Sequence, residues 1–162
     1  MSDSTKVGFA ARTETRKRVW YLENIDCYLF TTLKILNDVW EKGYGVNFKR
    51  AKRYMFDYNK LDWFYRLDWG ISHSCFNYEP FGYSIFQAVD YGKLPIINKD
   101  WAPEVDYKYR VSTKNEFDEC VKQILTDSHE ERVKNVKNLK EYMIKFDNKD
   151  VWIDKVRTAI LG

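Results

Sequence analysis

The stretch NYEPFGYSIFQAVDYGKLPII, residues 77–97, contains a turn, a helix and a strand in direct succession. The spacing of apolar residues in GYSIFQAVDYG predicts a helix that ends at Gly92, and LPII predicts a short buried strand. The string EPFG, residues 79–82, stands directly before the helix. A helix followed so closely by a buried strand is typical of an α/β fold, in which strands and helices alternate.

The same alternation extends over most of the chain. Strands are predicted at residues 7–11, 27–32, 68–74, 94–97 and 107–111. Helices are predicted at residues 17–24, 33–43, 60–67, 82–92, 115–125 and 128–161, the last with a break near FDNKD. Val46 and Phe48 alternate as in a strand, but the basic residues that follow them fit several structures. We therefore predict an α/β fold with a Rossmann-like, doubly wound parallel sheet and C-terminal helices.

Size and composition limit the possible functions. A chain of 162 residues with 44% hydrophobic residues can form one compact domain, predicted as residues 1–162 with a flexible start (1–6) and a helical end (128–162). A net charge of +3 is small for a dedicated nucleic-acid binder. The three cysteines form no C-x-x-C pair, which favours a cytoplasmic location, and no apolar run is long enough for a signal peptide or a membrane span.

The EPFG string has the residue types of a phosphate-binding helix start. The first backbone N–H groups of a helix have no intrahelical partner and carry the positive end of the helix dipole, so they suit a phosphate. Gly82 lacks a Cβ that would keep a ligand away, Pro80 stiffens the approach, and Glu79 can accept hydrogen bonds from sugar hydroxyls. A capped helix with a turn-forming proline and glycine explains the same string equally well.

Longer segments of the chain resemble a known family. EPFGYSIFQAVDYGKLPII is similar to the signature segment in the C-terminal domain of retaining GT-B glycosyltransferases of the family-4 and glycogen-synthase-like type. VGFAARTETRK resembles the first strand and loop of that domain, and LDWFYRLDWGISHS and YRVSTKNEFDECVKQILTD resemble the elements before and after the signature. The resemblance extends over residues 7–161 and is weakest at residues 32–58.

This resemblance implies a site for a nucleoside-diphosphate sugar, the donor of a glycosyl group that is transferred with retention to an acceptor hydroxyl. Arg12 and Lys17 would neutralise the diphosphate as charge builds on the leaving nucleotide, so no metal ion is expected. Glu79 corresponds to the first carboxylate of the family's E-x7-E pattern and would hold hydroxyls of the donor sugar. These three residues are the predicted catalytic groups.

The predicted donor-binding residues lie at the turn and in the helix after it. Pro80 shapes the turn, and the backbone at Phe81, Gly82 and Tyr83 would contact a phosphate or the sugar. Gln87 stands where the family has its second carboxylate, which grips the ribose of the nucleotide. The amide oxygen of Gln87 can accept a hydrogen bond, but an uncharged acceptor should bind more weakly.

The resemblance covers one of the two domains of a GT-B enzyme. The N-terminal domain, which normally supplies the acceptor site, has no counterpart in this sequence. We therefore expect the partner to be a missing N-terminal domain or a separate protein chain. The isolated chain should bind the nucleotide sugar and transfer slowly or not at all. The base, the sugar and the acceptor are left open.

Two further patterns allow other functions. SHSC, residues 72–75, places a histidine near a cysteine. Two histidines in the chain are too few for a closed zinc site, so packing near the donor site is favoured.

KRAKRYMF, residues 49–56, interleaves basic and aromatic residues as nucleic-acid-binding surfaces do, although a solvated basic face is the simpler explanation. The alternative function is a non-catalytic module that binds nucleic acid or a partner protein there. In an enzyme, the same surface could hold a nucleic-acid acceptor.

Overall fold

Six parallel strands form one sheet in the computed structural model, which describes residues 5–77 and 82–147. The strands are β1 (Val7–Ala10), β2 (Cys27–Thr31), β3 (Ala51–Met55), β4 (Ile71–Ser74), β5 (Leu94–Asn98) and β6 (Arg110–Val111). Their order across the sheet is β3-β2-β1-β4-β5-β6, and each neighbouring pair is parallel. This order is that of doubly wound, Rossmann-like sheets, so the predicted α/β fold class is confirmed.

Helices follow β2, β3, β4 and β6 in the chain. They are α1 (Leu33–Ile35), which continues as a π-helical segment (Leu36–Glu41), α2 (Leu61–Tyr65), α3 (Tyr83–Asp90), α4 (Lys114–Thr126) and α5 (His129–Asp147). The hydroxyl of Thr113 accepts the backbone N–H of Glu116 and caps α4. Gly92 has a φ of 76° just after α3, which confirms the predicted helix stop. None of the helices in the described part of the chain is long and apolar enough to cross a membrane.

The sheet is covered by apolar residues on both faces. Along β2, Cys27 and Leu29 join one buried cluster, whereas Tyr28 and Phe30 join the other. The first cluster includes residues of α3, α4, α5 and the π-helical segment, and the second includes residues of α2. Strand residues alternate between the faces of a sheet, so two buried faces require the nearly continuous apolar strands seen here.

The segment after α2 packs so closely on the sheet that β1 needs a glycine at position 8. A Cβ placed on Gly8 of β1 would lie 2.3 Å from the Trp69 ring. The Trp69 indole packs there and donates from Nε1 to the carbonyl oxygen of Phe64, 2.9 Å away. The second buried cluster therefore depends on the absence of a side chain at Gly8.

Four predicted elements differ from the observed ones. The third strand lies at Ala51–Met55, within the basic segment, and not at Val46 and Phe48. The predicted helix at residues 17–24 is two short 3-10 turns, Thr15–Lys17 and Val19–Leu22. The predicted helix at residues 33–43 is largely π-helical, and the strand predicted at residues 107–111 is shortened to β6.

The chain ends are only partly described. The predicted flexible start, residues 1–6, is described from residue 5 onward, and residues 148–161 of the predicted C-terminal helical region lie outside the described residues. Within the described part, α5 confirms a long helix after residue 128.

Candidate functional site

The carboxyl ends of β1 and β4 mark the point where the strand order changes direction. From β1 the sheet continues through β2 to β3 on one side, and from β4 through β5 to β6 on the other. In open parallel sheets, ligands bind in the crevice outside the carboxyl ends at such a switch point. The segments that follow β1, β4 and β5 therefore form the candidate site.

The segment after β1 carries most of the charge at this crevice. Residues 12–18, RTETRKR, contain four basic residues and a single acid, Glu14. Arg18 separates the two 3-10 turns and has a left-handed backbone, with φ 54° and ψ 43°. Such a conformation costs about 1–2 kcal/mol for a residue other than glycine. The bend that it produces places the Arg18 side chain against the ends of β4 and β5.

The Arg18 guanidinium joins those two strand ends. One terminal nitrogen donates to the side-chain oxygen of Asn77, three residues after the end of β4, and the other donates over 3.3 Å to the side-chain oxygen of Asn98, the last residue of β5. The Asn98 amide nitrogen also lies 3.4 Å from the Asn77 oxygen. Both amides are neutral, so neither cancels the positive charge of Arg18.

His73 supports Arg18 from inside the protein. This histidine is fully buried on β4, and its Nε2 lies 2.8 Å from the backbone oxygen of Arg18. A carbonyl oxygen can only accept, so Nε2 carries the proton and Nδ1 is left as the acceptor for the Cys75 thiol, 3.4 Å away. Burial lowers the pKa of His73 to about 4, so the ring is neutral near pH 7.

The His73–Cys75 pair has a structural role. Burial raises the pKa of the Cys75 thiol far above its ordinary value, so the thiolate needed for nucleophilic attack does not form near neutral pH. Among the residues that the structure describes, no group of three His, Cys, Asp or Glu side chains could hold a metal ion. The SHSC segment lies mainly in β4, and its side chains pack in the core beside the crevice, in keeping with the favoured interpretation.

The two predicted diphosphate-binding cations differ in position. The ammonium of Lys17 lies 4.4 Å from the centre of the Phe76 ring, which follows β4, so Lys17 lies beside the crevice. Arg12 has 80% of its side chain exposed, and its nearest guanidinium nitrogen is 3.8 Å from the Glu14 carboxylate. Glu14 also pairs with Arg16. The structure therefore brings Lys17 together with Arg18 and leaves Arg12 on the outer surface of the same segment.

Gly82 has a conformational reason to be glycine. It is the buried N-cap residue of α3 with a φ of 70°, and a Cβ placed on it would lie 2.5 Å from the Trp101 ring. These constraints account for Gly82 with or without a ligand.

Tyr83 is largely exposed, and Gln87 is half-buried one helical turn later on the same face of α3. Glu79, Pro80 and Phe81 lie outside the described residues.

The basic segment at β3 lies at an edge of the sheet. Arg50 pairs with Asp26 at 2.5 Å, and Arg53 pairs with Glu41, so two of its four cations have carboxylate partners. Lys49 and Arg50 precede β3 and therefore lie toward the amino ends of the strands, opposite the crevice. This placement separates Lys49 and Arg50 from the candidate site.

Sequence reasoning missed Arg18, Asn77 and Asn98. The two asparagines are far apart in the chain and become neighbours only because β4 and β5 pair. A polar residue at the carboxyl end of two successive buried strands was the signal that could have found them. Arg18 falls inside the helix predicted at residues 17–24, so its position gave no indication of a site.

Comparison with protein-family models gives no match. Searches of curated proteins and of solved structures give no match either.

Proposed function

We propose that this chain binds a nucleoside-diphosphate sugar and forms the donor-binding half of a retaining glycosyltransferase. The observation that carries the proposal is the position of Lys17 and Arg18 at the switch point between β1 and β4. A parallel sheet of this order presents its ligand crevice there, and two cations on one short segment suit a diphosphate.

The electrostatics of the crevice support an anionic ligand. Among the described residues, the acceptors of the Arg18 guanidinium are neutral amides, so they do not neutralise its charge toward an anion. The amides of Asn77 and Asn98 have both donors and acceptors, which sugar hydroxyls can use. Helix α3 begins at Tyr83, in the connection that follows β4, and its first N–H groups add partial positive charge.

We assign a separate role to each group of residues on the basis of these positions. Lys17 and Arg18 would bind the diphosphate and stabilise the charge on the leaving nucleotide, with Arg12 as an outer cation. Glu79, Pro80, Phe81, Gly82, Tyr83 and Gln87 keep the donor-binding roles that the resemblance implies. The acceptor site would come from an N-terminal domain or a partner chain.

The cytoplasm is the proposed location. Cys27, Cys75 and Cys120 are all buried free thiols. Thiols that are kept reduced are usual in a reducing compartment.

Calorimetric titration tests the proposal. The wild-type chain is titrated with UDP, GDP, ADP and their sugar conjugates, beside Lys17→Ala, Arg18→Ala and Arg12→Ala. Saturable binding of one nucleotide is expected, weakened by at least about tenfold in Lys17→Ala and Arg18→Ala because each loses a charge-assisted contact. Arg12→Ala should have a smaller effect, because Arg12 is exposed and paired with Glu14.

Arg16→Ala is the matched control. Arg16 lies in the same segment, is exposed and pairs with Glu14. Its backbone oxygen accepts the N–H of Asn77, a contact that alanine keeps, so Arg16→Ala removes the same charge and leaves the contacts of Arg18 with Asn77 and Asn98 in place. If no nucleotide binds the folded wild-type chain, or if Arg16→Ala weakens binding as much as Arg18→Ala, the proposed donor site is wrong.

A further inference from the structure

A second cavity lies away from the crevice, between α5 and the turn that joins α3 to β5. Its volume is about 550 Å³, within the range of small-molecule sites. The turn contributes Val89, Gly92, Lys93 and Leu94 to the lining. These residues stand at the amino end of β5, so the cavity and the crevice lie at opposite ends of the sheet.

One stripe of α5 forms the other wall. The α5 residues that line the cavity are His129, Arg132, Val133, Val136, Lys137 and Lys140. Their spacing of three or four residues puts them on one side of the helix over three turns. This side is adjacent to the buried residues Asn135 and Leu139, which fix α5 on the domain.

The lining combines an apolar floor with cationic groups. Val89 and Leu94 are almost fully buried, and Val133 and Val136 face them across the cavity. The polar residues in the lining are Lys93, His129, Arg132, Lys137 and Lys140, and the described lining residues include no carboxylate. Glu131, on the same helix, instead lies 3.5 Å from the Lys108 ammonium. The cavity is therefore complementary to a ligand that is apolar along most of its length and anionic at its head.

Two of the cations are held in place by backbone oxygens. Arg132 donates to the carbonyl oxygens of Ile124 and Asp127, and the Lys93 ammonium donates to those of Leu67 and Trp69. Lys137 and Lys140 are exposed at the far end of the stripe. The methylene groups of Lys93 therefore extend the apolar floor of the cavity. The ammonium groups of Lys137 and Lys140 are placed to meet the anionic head group of a ligand.

We propose that this cavity binds a medium-chain acyl carboxylate, with the acyl chain between Val89, Leu94, Val133 and Val136 and the carboxylate on Lys137 and Lys140. A volume of about 550 Å³ is typical of a small-molecule pocket, and its lining of apolar side chains and cations matches an acyl carboxylate. Burial of the chain supplies the affinity, and the two lysines select the charged head. The proposal does not depend on the nucleotide site.

Calorimetry with decanoate, kept below its micelle-forming concentration, tests the proposal on the full chain. Saturable binding of one decanoate is expected, with affinity at least about tenfold weaker in the double variant Lys137→Ala/Lys140→Ala. Val133→Asp should also weaken binding, because it places a carboxylate in the cavity, and the exposure of Val133 makes the variant compatible with folding. Circular dichroism confirms that each variant is folded.

Two controls separate this site from general charge or apolar attraction. Lys134→Ala/Lys145→Ala removes two exposed lysines of α5 that do not line the cavity, and it should bind decanoate like the wild type. Decan-1-ol, which has no charge, should bind more weakly than decanoate. The proposal is overturned if decanoate does not saturate, if both double variants behave alike, or if decan-1-ol binds as tightly as decanoate.

Discussion

The Nε2 atom of His73 lies 2.8 Å from the backbone carbonyl oxygen of Arg18 and links the core of the sheet to residues 12–18, the segment after β1. The His73 ring packs against the rings of Phe9, Tyr21 and Phe117. Arg18 in turn reaches the ends of β4 and β5 through its guanidinium. His73, a neutral residue in the interior, therefore fixes where the positive charge of Arg18 lies in the crevice.

Acid should destabilise the protein through His73. Burial lowers its pKa to about 4 in the folded protein, from an ordinary value of 6.5 that the unfolded chain should keep. As the pH falls, the unfolded chain binds a proton first, so stability is lost between about pH 6.5 and about pH 4. The full loss is about 3 kcal/mol, measurable by urea unfolding across that range.

His73→Gln is the control for this pH dependence. Glutamine keeps an N–H donor that can reach the Arg18 oxygen, but it does not titrate. The variant should lose less stability than the wild type over the same pH range, while carboxylates contribute equally to both. An identical decline in the two proteins would show that His73 does not cause it.

Gly82→Ala should destabilise the protein by about 3 kcal/mol, measured by urea unfolding. About half of this loss comes from the left-handed backbone and the rest from displacement of the Trp101 ring. Gly45→Ala is the matched variant, because Gly45 has a similar φ of 66° and open space around its Cβ position. Gly45→Ala should cost about 1–2 kcal/mol. Equal losses in the two variants would contradict the assigned role of Trp101.

The three thiols should be unreactive in the native protein. Cys27, Cys75 and Cys120 are buried, and burial raises the pKa of Cys27 and of Cys120 to about 12. Ellman's reagent should therefore react slowly with the folded chain and rapidly with all three thiols in urea. Fast reaction of any thiol under native conditions would mean that its part of the core opens readily.

Charge reversal in the basic segment should not affect nucleotide binding. Lys49 and Lys52 are exposed, and Lys49 precedes β3 at the end of the sheet away from the crevice. Lys49→Glu/Lys52→Glu should bind the nucleotide found by calorimetry with unchanged affinity. If this variant loses nucleotide binding while Arg18→Ala keeps it, the alternative function as a binding module through the basic surface becomes the better explanation.

The fold class could be predicted because buried parallel strands and amphipathic helices leave strong local patterns. The runs at β1, β2 and β5 are almost continuously apolar, and α4 has its buried residues at helical spacing. β3 was not predicted because it is an edge strand with a single neighbour, and the basic residues Lys52 and Arg53 interrupt the apolar pattern of its sequence.

The candidate site was harder to predict than the fold. Lys17 was identified through a resemblance, but the central role of Arg18 depends on a left-handed backbone that a residue other than glycine adopts only in a particular context. The contact of Arg18 with Asn98 joins residues from distant parts of the chain. Such pairs follow from strand order, which local sequence patterns do not encode.

The central position of β1 also constrains how the chain can fold. β1 aligns Val7 with Cys27 on one side but with Ile71 on the other, so its second edge stays unpaired until β2, β3 and α2 have been synthesised. Closing so long a loop is slow, and an exposed strand edge can pair with other chains in the meantime. Chains truncated before β4 should therefore aggregate on release from the ribosome, whereas chains that include β4 can close the centre of the sheet.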